Sequence, residues 1–259
     1  MKNNLIPVTL LVIVLLFNQC ERNGSDPNEN WVVGRSWIDP RDDNSYNIVP
    51  IGDQVWMAEN LAYLPSVNIV ADGSEDAGKE QKPFYYVYDY DGTVVSAAMA
   101  TSNYEQYGVL YNWTAAKTAC PDGWHLPTDD EWKELEITLG ISSSQASLRG
   151  YQGTDEGNKL KATWGWKYNS WKDKYGNGTN ETGFTGLPGG SRSFEYADWT
   201  IGAYYLMGID GNWWSASMGS SDEYSGKYIW YRRLSYSRDD IYRYEQSEDD
   251  ALSIRCVKN

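Results

Sequence analysis

The sequence predicts an α+β fold that has few helices, short antiparallel strands and much irregular chain. Three observations predict this class. One segment near the middle of the chain carries a strong helix start and stop, alternating runs around Gly-Asp and Asp-Gly turns indicate strands, and Gly-rich loop signals crowd the second half. No segment of roughly 20 to 50 residues recurs, which argues against a solenoid or a propeller.

The N-terminal residues have the composition of an export signal. A Lys near the start precedes an apolar run over residues 5–17, and Cys20 follows that run. As a helix this run would span about 20 Å, less than the roughly 30 Å hydrocarbon core of a bilayer, so a permanent transmembrane helix is disfavoured. The segment that ends at Cys20 resembles a bacterial lipobox, so we expect residues 1–19 to be a lipoprotein signal peptide.

Cys20 is then the expected site of lipidation, and its acyl chains would anchor the mature chain to a membrane. Asn18 and Gln19 stand where a lipobox usually has small residues, so cleavage nearby by an ordinary signal peptidase, with loss of Cys20, is the alternative. Residues 20–35 are polar and contain Gly, Ser and Pro, which predicts a flexible tether. Residues 36–259 are expected to form one domain.

The first part of this domain predicts two strand hairpins. The first would pair residues 45–51 with residues 54–57 around a Gly-Asp turn. The second would pair residues 83–90 with residues 94–98 around an Asp-Gly turn. The acidic, Gly-rich segment 72–82 predicts an exposed loop between them.

The strongest local signal is a helix that begins after Thr128 and ends at Gly140. Thr128 and Glu131 have the spacing of a capping box, in which each side chain accepts a hydrogen bond from the other residue's backbone amide. Asp129 and Asp130 favour the positive end of the helix dipole. Apolar residues then recur at helical spacing and predict a buried face, namely Trp132, Leu135 and Leu139.

A shorter helix is predicted over residues 112–119, where small residues permit close packing. After Ser142 the sequence predicts only strands and loops. Loop signals crowd residues 150–158 and 176–190, and paired strands are expected over the segments 227–236 and 252–257.

Charge and composition disfavour several functional classes. The chain has 22 Lys plus Arg and 36 Asp plus Glu, a formal net charge of −14, which argues against binding to nucleic acid or to an anionic membrane surface. One His and three Cys argue against a His-based catalytic centre or a zinc cluster. The aromatic residues comprise 13 Trp and 21 Tyr but only 4 Phe, so nearly all of them carry a polar group suited to half-wet surfaces.

Two cysteines remain if Cys20 carries lipid. Cys120 and Cys256 would then be a pair in an oxidising compartment, which predicts a disulfide that closes a loop of 136 residues. The chain-entropy model gives such a crosslink roughly 4 to 5 kcal/mol. Two unpaired buried thiols are the alternative.

Seven motifs occur in a fixed order along the chain. They cover residues 46–61, 107–116, 119–132, 157–161, 183–192, 211–215 and 253–258. Together they resemble the Fibrobacter succinogenes major paralogous domain, a family of exported bacterial proteins that are often lipoproteins. The resemblance extends over residues 36–259.

The resemblance implies a C-type lectin-like fold, related to the formylglycine-generating enzyme group, with two helices, short antiparallel sheets and a long loop excursion. In that wider fold a disulfide often links the first helix to the last strand, and Cys120 and Cys256 match this placement. Relatives that oxidise substrates need reactive cysteines. None is left here if these two are joined.

We therefore predict no catalytic residue and no cofactor. His125 could act as a general base, but it lies within the helix-start motif, which favours a packed structural side chain. The acidic residues 129–131 are explained by helix capping, and residues 239–240 and 248–250 are predicted to be solvated turns. A glycosidase needs two carboxyl groups held across a cleft, so a hydrolase is the less favoured alternative.

Calcium has no motif to support it, although the acidity of the chain leaves room for a structural ion. Some lectin-like domains bind sugar through Ca²⁺ held by oxygen ligands. The Glu-Pro-Asn and Trp-Asn-Asp triplets of those relatives do not occur in this sequence. We expect no metal ligands and no calcium-bridged sugar site.

Aromatic residues outside the motifs are the candidate ligand-binding residues, because flat rings can stack on the apolar face of a sugar. They are Trp164, Trp166, Tyr168, Trp171, Trp199 and Trp230. The alternative is that a loop-rich domain uses such rings as its core, as we expect for Trp56, Trp113, Trp124, Trp132, Trp213 and Trp214. On a strand over residues 227–236, Tyr228 and Trp230 would face one way and Ile229 and Tyr231 the other.

The sequence thus predicts a non-enzymatic lipoprotein of the bacterial outer membrane, anchored by lipid and displayed at the cell surface. Its lectin-like domain would bind a glycan or a protein partner, and no nucleic acid. One alternative is an accessory subunit of an outer-membrane nutrient-import assembly that does not itself touch sugar. The other is an uncharacterised hydrolase.

Overall fold

A computed structural model describes residues 35–73, 82–195, 201–222 and 226–259. The predicted signal peptide, Cys20, all but the last residue of the predicted tether, and Trp199 lie outside these residues. Within them, no helix is both long enough and apolar enough to cross a bilayer.

The described residues form a mixed fold rich in antiparallel sheet, with six helices and sixteen strands. The helices are α1 (Val95–Met99), α2 (Ser102–Tyr107), α3 (Trp113–Ala119), α4 (Asp129–Leu139), α5 (Ser143–Ala146) and α6 (Glu156–Leu160). The first eight strands are β1 (Ser36–Ile38), β2 (Ser45–Ile51), β3 (Gln54–Met57), β4 (Tyr85–Tyr86), β5 (Leu110–Asn112), β6 (Trp124–His125), β7 (Gly150–Gln152) and β8 (Tyr168–Asn169). The others are β9 (Lys174–Tyr175), β10 (Ser191–Glu195), β11 (Ile201–Tyr205), β12 (Asp210–Asp222), β13 (Gly226–Ser235), β14 (Ile241–Ser247), β15 (Ala251–Leu252) and β16 (Val257–Lys258).

Four sheets organise these strands. Two have five strands, in the orders β1-β2-β3-β16-β6 and β11-β10-β15-β5-β4. A third has the order β12-β13-β14-β7, and the pair β8-β9 forms a separate hairpin. Because β15 and β16 enter different sheets between much earlier strands, the C-terminal segment ties the domain together.

The longest helix agrees with its prediction. The Thr128 side chain accepts from the Glu131 amide, and the Glu131 carboxylate accepts from the Thr128 amide at 2.7 Å, so the capping box is complete. Trp132 and Leu135 are buried. Helix α3 also agrees, since the Asn112 side chain caps it by accepting from the Ala115 amide.

The first strand hairpin has the predicted bounds. Strands β2 and β3 pair in the register Val49–Trp56 around the predicted turn. The turn needs glycine at Gly52, which has φ +61° and where an added Cβ would lie 2.7 Å from Thr138 Oγ1.

Several predictions about elements are wrong. The resemblance implies two helices, whereas the described residues form six, and α2 was not predicted. Residues 94–98 are not a strand, because helix α1 occupies them, and only Tyr85–Tyr86 of the expected partner strand pairs. The expectation of no helix after Ser142 misses α5 and α6, which have four and five residues. Helices this short cannot display an apolar period, and their local caps and tertiary contacts decide them. Accordingly, the Ser142 side chain caps α5 by accepting from the Gln145 amide.

The predicted strand 252–257 is divided into β15 and β16 by a buried arginine. Arg255 is fully buried, and its guanidinium donates to the carbonyl oxygens of Met57, Phe184 and Thr185. Arg192, also fully buried, donates in the same way to the carbonyl oxygens of Val70 and Asp72. Loop backbone is therefore fixed by cationic side chains from the interior.

The core uses the aromatic residues that the motifs contain. The predicted core tryptophans are all buried, namely Trp56, Trp113, Trp124, Trp132, Trp213 and Trp214. The structure also has the predicted disulfide between Cys120 and Cys256, with a Cα–Cα distance of 5.9 Å. It joins the end of α3 to the residue that precedes β16.

Candidate functional site

The candidate aromatic residues divide into core and surface. Trp166 is wrong as a surface residue, because its side chain is 2 % exposed and its indole N–H donates to the Gly186 carbonyl oxygen at 3.2 Å. It packs in the core cluster around Trp56 and Trp213. Its position in a Gly-, Lys- and Asn-rich segment does not reveal this burial, since Gly186 lies 20 residues further along the chain.

The other described candidates of this segment are exposed. Trp171 occupies the tip of the β8–β9 hairpin and is 94 % exposed. Tyr168 and Tyr175 stand opposite one another on the two strands, with ring centroids 5.4 Å apart. Trp164, just before the hairpin, is exposed as well. These four rings are exposed, Tyr175 in addition to the three candidates, and ligand binding by them stays a prediction.

The hairpin tip has a defined conformation. The buried Asn169 side chain accepts from the backbone amides of Trp171 and Lys172, at 3.0 and 3.3 Å. The Tyr168 hydroxyl donates to the Asp173 carboxylate, and this interaction raises the pKa of Tyr168. The most exposed ring of the described chain is therefore carried on an internally bonded turn.

The base of the hairpin is fixed to the domain. The Gly176 amide donates to the Lys167 carbonyl oxygen at 2.8 Å, and the Lys167 amide donates to the Gly208 carbonyl oxygen at 2.7 Å. The Lys172 ammonium lies 3.1 Å from an Asp239 carboxylate oxygen in the turn between β13 and β14. With Lys167, Lys172 and Lys174, the hairpin is also locally basic in an acidic chain.

A second exposed aromatic group, which the sequence analysis missed, lies on the sheet next to that turn. Tyr242 of β14 stands opposite Tyr151 of β7, with ring centroids 4.6 Å apart, and stacks with Tyr244 at 5.7 Å. Arg233 lies 4.1 Å over the Tyr242 ring, and Arg238 lies 3.8 Å over the Tyr151 ring. The alternation of Tyr242 and Tyr244 around Arg243 was the available sequence signal. We call Tyr151, Tyr242 and Tyr244 the tyrosine face.

Trp230 is half-buried and covers an ion cluster. The Arg243 guanidinium lies 3.5 Å from the centroid of the Trp230 ring, and the Arg149 guanidinium lies 5.4 Å from the same centroid. The predicted alternation of this strand agrees with the burial, since Ile229 and Tyr231 are buried and Tyr228 is half-buried. Trp230 is thus only partly accessible to a ligand.

The ion cluster beneath Trp230 corrects the interpretation of Asp129 as a capping residue alone. The buried Asp129 carboxylate accepts from Arg232 at 2.9 Å and from Arg243 at 2.7 Å, and Lys133 lies 2.7 Å away. Burial opposes the charge of Asp129, but the hydrogen bond from Arg243 and the charge of Arg232 hold its pKa well below the usual range. Arg232 also pairs with Glu136, whose pKa burial raises. This cluster is structural, since it is buried under α4.

The sequence predicted that the acidic turns at residues 239–240 and 248–250 are solvated, and this prediction is wrong. Glu248 and Asp250 are buried, and Lys227 lies 3.2 Å from Glu248. Burial, together with the charges of Glu248 and Asp250, raises the pKa of Asp249 to about 6. The turn is covered because it leads directly into β15 in the middle of its sheet. Asp239 and Asp240 are paired with Lys172 and Arg238.

His125 is hydrogen-bonded at both ring nitrogens, as predicted, but it is partly exposed and not packed in the interior. Its Nε2 lies 2.7 Å from Glu131 Oε1, and its Nδ1 lies 2.6 Å from Asn259 Oδ1. Glu131 is itself held in the capping box. Within the described ranges, His, Cys, Asp and Glu side chains nowhere converge in threes that could hold a metal ion.

A cleft of about 400 Å³ lies between β2, the segment after β3 and helix α2. Tyrosine, amide and carboxylate side chains line it, including Tyr104, Tyr107, Gln106, Glu59 and Glu105. No residue of the hairpin or of the tyrosine face is among its lining residues. The described chain therefore presents an aromatic surface and a separate polar cleft.

Comparison with known proteins identifies the family. The family profile described as the Fibrobacter succinogenes major domain matches residues 49–258. Searches of curated proteins and of solved structures give no match. Since the matched residues make up well over half of the sequence, the chain belongs to the Fibrobacter succinogenes major domain family.

Proposed function

We propose that this chain is a non-enzymatic, envelope-anchored lipoprotein whose domain, of C-type lectin-like fold, binds a glycan through exposed aromatic rings. The observation that carries the proposal is the β8–β9 hairpin, which holds Trp171 at 94 % exposure beside Tyr168 and Tyr175. Large exposed aromatic groups of this kind commonly mark interaction surfaces.

Covering the exposed Trp171 ring with a ligand would be energetically favourable. Removing about half of a Trp side chain's roughly 200 Å² from water contributes about 2 kcal/mol. The internal bonds of the tip reduce the ordering cost of binding, since the Asn169 side chain already fixes the turn. The same hairpin carries Lys174 and Asp173, and Lys167 precedes it, so donors and acceptors for sugar hydroxyls lie near in sequence to the ring.

An extended ligand suits the arrangement better than a single sugar. The turn between β13 and β14 contacts the hairpin through Asp239 and Lys172, and it contacts the tyrosine face through Arg238 and Tyr151. Both exposed aromatic groups therefore border one turn. A polysaccharide strand could stack on several rings in succession, and its affinity would be the sum of weak contacts.

The proposed location rests on the N-terminal sequence. The lipobox-like segment before Cys20 supports lipid anchoring in the outer membrane, and the polar residues after it support display of the domain at the cell surface. The disulfide between α3 and the residue before β16 supports the proposed lectin-like architecture, since this is where the wider fold often has one.

A second candidate function is supported by the same tip. Trp is enriched among the residues that dominate protein–protein binding energy, and arginine stacked on tyrosine, as at Arg233 and Tyr242, is common in such surfaces. The chain would then be an accessory subunit of an outer-membrane nutrient-import assembly. Co-purification of a stable complex from solubilised membranes, lost in Trp171→Ala, together with no glycan binding, would favour this candidate.

Affinity electrophoresis through gels that contain single polysaccharides tests the glycan proposal. We expect at least one polysaccharide to retard the chain, Trp171→Ala to weaken binding about tenfold or more, and Trp171→Phe to retain most of it because a ring is kept. Ile137→Ala, which removes an exposed apolar side chain from α4, is the control and should bind normally. Retardation that is unchanged in Trp171→Ala, or absent for every polysaccharide, would contradict the proposal.

A further inference from the structure

The polar cleft has the size and composition of a small-molecule site. Its volume of about 400 Å³ falls in the range of roughly 300 to 1,000 Å³ that is usual for ligand pockets. Residues from the β1–β2 loop, the segment after β3, helix α2 and Leu187 line it. A site built from four separate segments is complete only in the folded domain.

The charge of the lining is entirely negative. Glu59 and Glu105 line the cleft, and no Lys, Arg or His is among the lining residues. The other polar lining groups are neutral amides and hydroxyls, including Asn44, Asn60 and Thr101. Behind the wall, the buried Arg255 guanidinium donates to the side chain of the lining residue Asn60 at 3.2 Å, but it is not itself a lining residue. An anionic ligand would meet no cation at the surface of the cleft, whereas a cationic group would meet two carboxylates.

The two carboxylates differ in how they are held. Glu59 accepts from the Asn47 amide at 2.7 Å and from the Asn47 side chain at 2.6 Å, so one bond to each oxygen fixes its orientation. Each of these oxygens retains capacity for a further donor. The exposed Glu105 side chain has no hydrogen-bond or ion-pair partner among the described residues.

The aromatic wall of the cleft is already ordered. The Tyr104 hydroxyl donates to the Ala62 carbonyl oxygen at 2.9 Å and accepts from the Asn44 side chain at 3.3 Å. The Tyr46 hydroxyl accepts from the Ala62 amide at 3.0 Å. These rings give the cleft an aromatic wall, and Met99 and Leu187 add apolar surface. A ligand would therefore lose little binding energy to reorganisation of the site.

We propose that this cleft binds a small cationic ligand, one that carries a primary ammonium group on a body about the size of a monosaccharide. Glu59 and Glu105 bind the ammonium group. The aromatic wall of Tyr46 and Tyr104 and the neutral amides contact the rest of the ligand. An amino sugar and a basic amino acid share this chemistry. The site is separate from the aromatic surface, so the two proposals can fail independently.

Isothermal titration of the full chain in detergent micelles tests the cleft, with glucosamine, glucose and lysine amide as probes. Glucosamine and glucose differ by one amine, so we expect glucosamine to bind at least fivefold more tightly, and to weaken as NaCl is raised. Tighter binding of lysine amide than of glucosamine would identify a basic amino acid, and the reverse an amino sugar.

Variants connect any binding to the cleft. Glu105→Gln is expected to weaken binding of the cationic probes about three- to tenfold, since one exposed carboxylate is removed without changing its shape. Glu181→Gln, which makes the same change at an exposed site outside the cleft, should leave it unchanged. Equal binding of glucose and glucosamine, no binding of either cationic probe, or no response to Glu105→Gln would each overturn the proposal.

Discussion

The disulfide between Cys120 and Cys256 is expected to make a large contribution to the free energy of unfolding. It closes a loop of 136 residues, more than half of the chain. The chain-entropy relation, applied to a loop of this length, gives about 5 kcal/mol near 25 °C. Cys256 is also fully buried in the core cluster that contains Trp214, so replacing it leaves a small cavity as well.

The double variant Cys120→Ala/Cys256→Ala removes the crosslink without leaving a free thiol. We expect it to lower the free energy of unfolding by about 5 kcal/mol and Tm by roughly 10 to 20 °C. Urea denaturation followed by Trp fluorescence measures the change. The unmodified chain, unfolded with and without a reductant, is the matched control, and reductant should affect it but not the double variant.

Two results would refute this reasoning. The first is a double variant whose unfolding free energy lies within about 1 kcal/mol of that of the unmodified chain, because the loop-entropy contribution would then be missing. The second is a pair of reactive thiols, assigned to Cys120 and Cys256, in the unfolded chain without reductant. Either would remove the crosslink as the connection between α3 and the C-terminal strand.

Two further predictions concern buried charge. Asp129→Asn leaves Arg232 and Arg243 without a full counter-charge in the interior, so we expect the free energy of unfolding, measured by urea denaturation, to fall by about 3 kcal/mol or more. The control Asp130→Asn, at an exposed position on the same helix, should lower it by less than about 1 kcal/mol. The folded-state pKa of Asp249, about 6, lies about two units above its unfolded value, so its contribution favours the folded chain at low pH and is lost as pH rises from about 4 through 6. Asp249→Asn should therefore stabilise the chain at pH 7 by about 2 to 3 kcal/mol in urea denaturation, and equal effects at pH 4 and pH 7 would contradict this prediction.

Local signals in the sequence predicted the elements that carry their own caps and turns. Helix α4 has both residues of its capping box and its terminal glycine within thirteen positions of sequence, 128–140, and the β2–β3 hairpin contains its own Gly-Asp turn. Helices α1, α2, α5 and α6 were missed because four to six residues give no period. Their formation depends on contacts with distant chain.

The candidate site shows the same division. The polar segment around Trp166 and Trp171 left both burial and exposure open for each ring, and the burial of Trp166 depends on Gly186, 20 residues further along the chain. The tyrosine face forms only when β7 pairs with β14, about ninety residues away, and the cleft needs four separate segments. Long-range pairing is the information that residue spacing does not contain.

The buried arginines that hold loop carbonyls have a consequence for how this domain can diversify. Arg192 and Arg255 donate hydrogen bonds to main-chain carbonyl oxygens, which every amino acid possesses. The half-buried side chains of Val70 and Asp72 can therefore change without loss of these hydrogen bonds, provided that the backbone keeps its path, whereas Met57 and Phe184 are also fixed by their burial in the core. The buried guanidinium groups and the main chain that they hold can thus stay constant while the outward-facing side chains of the 70–72 segment change.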